Sequence, residues 1–133
     1  MPSIAGAHHM ALTVRDAERS AAWYSELLGM EELMCGDDDT VRFRVLVHPE
    51  CGWILGVREY REGSGDRFDE LRTGLDHFAF SVSSRAALDD WARELEARGV
   101  AHAPVSDTPV GSVVTFRDPD NIQFELWAFD PTM

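Results

Sequence analysis

The chain has 133 residues, with 24 acidic against 12 basic side chains and a net charge of −12. Its length suits one domain with a real hydrophobic core, and 44% hydrophobic with 27% charged residues excludes a disordered or fibrous chain. So negative a surface repels phosphate backbones, which excludes nucleic acid as an expected partner and would suit a cationic ligand. No apolar run approaches the roughly 18 residues that cross a bilayer, so no membrane partner is expected. The opening Met1-Pro2-Ser3-Ile4-Ala5-Gly6 lacks the basic and apolar segments of a signal peptide, and a cytoplasmic location is expected. Cys35 and Cys51 are too few for a disulfide framework and form no Cys-x-x-Cys pair; both are expected as free thiols.

In chain order, the first predicted element is a short strand, His9-Met10-Ala11-Leu12-Thr13-Val14. Alternation puts Met10, Leu12 and Val14 on its apolar face and His9, Ala11 and Thr13 on the other. His8 then falls on the Met10 face, as a capping or surface histidine. A helix follows with Asp16 as N-cap, Ala17, Ala21, Tyr24 and Leu28 at helical spacing, and Gly29 as the left-handed stop. Strands are predicted near 30–34, 41–47 and 53–60. The polar, Gly-containing run after them reads as a linker, about 61–73.

The second half repeats the first. His77-Phe78-Ala79-Phe80-Ser81-Val82 returns at an offset of 68, with Phe78, Phe80 and Val82 opposite His77, Ala79 and Ser81. Trp91, Glu94 and Leu95 match Trp23, Glu26 and Leu27 at the same offset. Gly99 matches Gly29, and the run 121–126 matches 52–57. Here the helix starts at Ser83 or Ser84, with Leu88, Trp91 and Leu95 inward. Strands are predicted near 101–104, 112–116 and 122–129, the last two joined by the turn Asp118-Pro119-Asp120-Asn121. Trp23, Tyr24 and Trp91 are read as core packing. His48 and His102 have no repeat partner and are read as solvated.

The motifs His9-x-Ala-x-Thr-Val-x-Asp16, Trp23-Tyr24-x-x-x-Leu28-Gly29, Gly74-Leu75-Asp76-His77-Phe78-Ala79 and Asp118-Pro119-Asp120-Asn121-x-x-x-Glu125-Leu126 cover nearly the whole chain. This pattern resembles the vicinal oxygen chelate superfamily, which includes glyoxalase I, extradiol dioxygenases, fosfomycin-resistance enzymes and bleomycin-binding proteins. The resemblance implies an α+β fold of two tandem βαβββ modules forming an open, incomplete barrel around a metal site. One domain would span 1–133, with module one at about 6–60 and module two at about 74–130. It also implies up to two ligands per module, at positions that here are His9, Gly56, His77 and Glu125. Two imidazoles and a carboxylate suit Fe(II), Mn(II), Zn(II) or Ni(II) and leave positions open for substrate. Glu125 lies in the apolar stretch 122–127, where a carboxylate needs a partner or a metal to offset desolvation.

The metal ligands expected are therefore His9, His77 and Glu125, with Glu125 the catalytic candidate. Gly56 withholds the fourth, acidic ligand usual in glyoxalase I. The resemblance then implies a metal-dependent dioxygenase, lyase or transferase acting on a small oxygenated substrate by bidentate chelation. It is more like a dioxygenase or resistance-type transferase than a glyoxalase I. The alternative is a non-catalytic drug- or metabolite-binding protein of the bleomycin-resistance type. Ala11 and Val114 stand where polar substrate contacts would be sought, and strand parity lets Arg58 and Arg117 either line the pocket or serve at the surface. A homodimer is expected, because open sheet edges need cover.

Overall fold

The computed structural model describes residues 1–130, and the chain divides into two compact units, Met1–Asp66 and Arg67–Met133. Among the described residues no helix is long and apolar enough to cross a membrane. Cys35 and Cys51 are free and exposed.

Unit 1 runs β1 (Met10–Thr13), α1 (Ala17–Leu28), β2 (Glu31–Asp37), β3 (Val41–Val47) and β4 (Ile54–Tyr60). Its four-stranded sheet has the order β1-β4-β3-β2, with β1 parallel to β4 and the other pairs antiparallel. Asp16 caps α1 as expected, its carboxylate accepting from the Arg19 N–H at 3.0 Å. Gly29 ends it at φ 70°, a left-handed conformation that glycine adopts without steric cost. The helix buries Ala17, Ser20, Ala21, Tyr24 and Leu27. Leu27 completes this stripe where Leu28 was expected, because three residues on from Tyr24 falls nearer its centre.

Unit 2 repeats the plan with β5 (Phe78–Ser81), α2 (Arg85–Ala97), β6 (Ser106–Thr108), β7 (Gly111–Arg117) and β8 (Gln123–Phe129) in the order β5-β8-β7-β6. Ser84, rather than Ser83, is the cap of α2, accepting from the Ala87 N–H at 3.1 Å. Phe124 is fully buried, stacked on Phe80 at 5.8 Å and on Phe116 at 5.6 Å. The β7–β8 turn is built on Asp118, whose Oδ1 accepts from the N–H groups of Asp120 and Ile122, both at 2.8 Å. Asn121 takes the positive φ (68°) that the turn requires.

Three expectations fail locally. No strand forms at 101–104: His102 makes one isolated bridge with Phe116, and β6 begins at Ser106. Pro104 has no N–H to donate to a ladder there. His102 is not solvated but half-buried, its ring held by Glu96 at 2.7 Å and the Ala103 carbonyl at 2.9 Å. The hydrogen bond to the Glu96 carboxylate raises its pKa above the usual imidazole value. Part of the predicted linker belongs to unit 2: the Phe68 N–H donates to the Asp120 carbonyl, and Glu70 forms an ion pair with Arg117.

Candidate metal centre

The strand register pairs corresponding positions of the two halves in the same way. In unit 1 Ala11 faces Gly56 across the parallel β1–β4 pair, and Val45 faces Gly56 across β3–β4. In unit 2 Ala79 faces Glu125 across β5–β8, and Thr115 faces Glu125 across β7–β8. Gly56 therefore occupies in unit 1 the place that Glu125 holds in unit 2. Alternation along β8 buries Phe124, Leu126 and Ala128 and turns Gln123, Glu125 and Trp127 to the opposite face.

On that face His77 and Glu125 meet. His77 Nε2 lies 3.1 Å from Glu125 Oε1, and His77 Nδ1 lies 2.7 Å from Asp76 Oδ1. Glu125 also accepts from the Trp127 indole N–H at 2.9 Å and from the Thr115 hydroxyl at 3.3 Å. Gln123 donates its amide to the Asp76 carbonyl at 3.1 Å. Nδ1 thus faces one carboxylate and Nε2 another, so each ring nitrogen can donate an N–H to its oxygen, or Nε2 can present a lone pair to a cation held by Glu125. Two acceptors 3.1 Å apart repel unless a proton or another cation lies between them. An imidazole nitrogen and a carboxylate oxygen therefore converge on this face, with Asp76 behind the ring, two donor types that suit a divalent metal.

His9 belongs to unit 1, where it is exposed and lines a pocket of about 290 Å³ on the open face of the sheet. The pocket is lined by Ala11, Leu33, Phe43, Ile54, Gly56 and Arg58, among others, so Ala11, Ile54, Gly56 and Arg58 share one side as parity predicts. His8 lines it too, contrary to the alternation argument. Both histidines precede Met10, where β1 starts, so no ladder fixes their faces. Their rings meet edge to face, with Nδ1 atoms 2.8 Å apart. Among the described residues, no three His, Cys, Asp or Glu side chains gather as a metal group.

Two other expectations are resolved. Arg117 is engaged within unit 2: it donates to both carboxylate oxygens of Glu70, at 2.8 and 3.1 Å, and to Gln123. That guanidinium holds the Glu70 carboxyl well down, at about 2. Val114 points into the core, 1% exposed, and offers nothing to a substrate. Asp76 and Trp127 were missed as partners of the site, although Asp76 adjoins His77 and Trp127 shares the parity of Glu125.

The model of the Glyoxalase/Bleomycin resistance protein/Dioxygenase superfamily matches residues 6–126. The chain belongs to that superfamily. A glyoxylase/bleomycin resistance protein/dioxygenase domain from Frankia sp. EAN1pec superposes with a TM-score of 0.88 at 41% identity, over 96% of this chain and 100% of that one. The uncharacterized protein PA2024 of Pseudomonas aeruginosa is 31% identical over 115 residues, 84% of this chain and 79% of the relative. The fosfomycin resistance protein FosX of Listeria monocytogenes, in a mutant crystallised with Mn(II) and 1S,2S-dihydroxypropylphosphonic acid, shares the fold. Its TM-score is 0.76 at 24% identity, covering 97% of this chain and 94% of that one. This superfamily fold fits the paired βαβββ units and their open sheets.

Proposed function

We propose that this superfamily member is a metal-dependent enzyme that binds a small oxygenated substrate through two neighbouring oxygens at one divalent ion. His77, Glu125 and His9 are the proposed ligands, with Fe(II), Mn(II), Zn(II) or Ni(II) as candidate ions. The observation that carries this reading is the approach of His77 Nε2 to Glu125 Oε1 at 3.1 Å, with Asp76 behind the ring. When bound, the ion would supply Lewis acidity toward a developing oxyanion. The chain's own part is positional. Asp76 holds the His77 ring, and Thr115 and Trp127 orient the Glu125 carboxylate. Gly56 supplies no acidic side chain, which favours a dioxygenase- or resistance-type reaction over that of glyoxalase I.

Trp127 gives the test its readout, because its N–H is bonded to a proposed ligand. Titrating metal-free protein with Mn(II) or Ni(II) is expected to change tryptophan emission with at least micromolar affinity, and Trp127→Phe should remove most of the change. A flat titration with every candidate ion contradicts the metal reading and leaves the non-catalytic binding protein in its place. We also propose a homodimer in the cytoplasm, supported by the exposed Leu33 and Met34 on the edge strand β2. Sedimentation at tens of micromolar should give a dimer mass, and a monomer there contradicts it.

A further inference from the structure

The pocket of unit 1 is lined by two arginines, Arg44, which is paired with Glu32, and Arg58, and its chemistry is more specific than the site reading above. Phe43, Val45, Ile54, Leu33 and Met34 supply apolar walls, while Ala11 and Gly56 leave the sheet surface low between them. Arg58 stands on this face because it pairs with Phe43 on β3 and follows Gly56 by two residues on β4. Its guanidinium carbon lies 5.3 Å from the centre of the Phe43 ring and 5.5 Å from that of Tyr60. Its Nε donates to the Tyr60 hydroxyl at 3.0 Å. Two ring faces and one hydrogen bond therefore hold the planar fork without using its terminal nitrogens.

What Arg58 lacks separates it from its neighbours. Arg44 is bound to Glu32 at 2.6 Å, Arg42 to Asp37 at 3.2 Å, and Arg61 also pairs with Asp37. Arg117 has Glu70. Among the described residues Arg58 forms no close salt bridge with a carboxylate, its acidic influence being a longer-range attraction to Asp38, in a chain whose acidic residues outnumber basic ones by two to one. An oriented guanidinium with free terminal N–H groups, facing an apolar pocket, matches a planar or tetrahedral oxyanion bidentately. Preorganisation by the two rings lowers the ordering cost of that contact.

We infer that Arg58 is a specificity-determining residue that selects substrates carrying an apolar body and a carboxylate or phosphonate group. A volume of about 290 Å³ suits a small molecule. The inference rests on the reading of this face as the substrate pocket, but it needs no metal, and it opposes the cationic ligand that the net charge alone would suit.

The test uses full-length, metal-free protein in the presence of chelator, so its outcome is independent of whether His77 and Glu125 bind an ion. Phenylacetate, phenylphosphonate and the neutral phenylacetamide are titrated and followed by calorimetry and by backbone amide shifts of β3 and β4. Either anion is expected to bind at least about tenfold tighter than the amide, since one charged bidentate contact is worth that much or more. The tighter of the two anions identifies the oxyanion type. Arg58→Gln should remove this preference, Arg58→Lys should recover only part of it, and Arg42→Gln should keep it at the same net charge as Arg58→Gln. Thermal melts confirm that each variant is folded. Equal binding of anion and amide, no saturable binding of either anion, or equal losses in Arg58→Gln and Arg42→Gln would overturn the assignment.

Discussion

Protein loaded in turn with Ni(II), Zn(II), Mn(II) or Fe(II) is expected to leave the methylglyoxal–glutathione hemithioacetal at its uncatalysed rate. That isomerisation moves a proton between adjacent carbons and needs a base beside the reacting centre. In unit 2 the residue facing Ala79 is Glu125; in unit 1 the residue facing Ala11 is Gly56. Ile54 and Arg58, which share its side of β4, carry no carboxylate. Glu59 has the opposite parity and is already engaged, its Oε1 accepting from the Ala17 N–H at the start of α1 at 2.9 Å. A lone Glu125 would have to serve as ligand and base together. The gap is chemical and not steric. A Cβ at Gly56 would meet the Ala11 Cβ at 3.4 Å, an ordinary contact, and the glycine's φ is not positive, so the backbone there admits a side chain. Thioester formation followed by absorbance checks the expectation. Robust turnover by the unaltered protein with any of the four ions would overturn the equivalence of Gly56 and Glu125 as reaction groups.

The second large effect is expected at His77. Its Nε2 is the imidazole atom nearest to Glu125, and Nδ1 is committed to Asp76. His77→Ala removes a proposed ligand outright and leaves Glu125 with only Trp127 and Thr115 as partners. Loss of an outer partner alone typically costs 10–100-fold in metal affinity, so loss of the ligand should exceed ~100-fold. His8→Ala should cost less than about tenfold, because it removes only the neighbour whose Nδ1 lies 2.8 Å from that of His9. His77 is 39% exposed in its side chain, so no folding penalty should confound the comparison.

Much of this arrangement is legible in the sequence, and the reason is local. Period-two alternation places Leu12 and Val14 in the core and Ala11 toward the pocket. Asp16, Ser84 and Gly29 mark helix ends through their own backbone chemistry. The internal repeat aligns Gly56 with Glu125 before any register is known. What the sequence leaves open depends on partners far along the chain. Parity allowed both Arg58 and Arg117 into a pocket, and only Glu70, 47 residues from Arg117, decides between them. Trp127 bonds Glu125 because the β8 backbone points both side chains to one face with compatible rotamers, which spacing alone does not fix. Alternation also misplaced His8, since it was extended two residues beyond the ladder that enforces it.

Metal analysis of protein purified without chelator, as wild type, His77→Ala and His8→Ala, tests the proposed centre most directly. Wild type and His8→Ala should each carry, or take up on addition, up to one divalent transition ion per chain, and His77→Ala should carry none. Absence of uptake by the wild type, or equal loss in both variants, would contradict a centre built on His77 and Glu125.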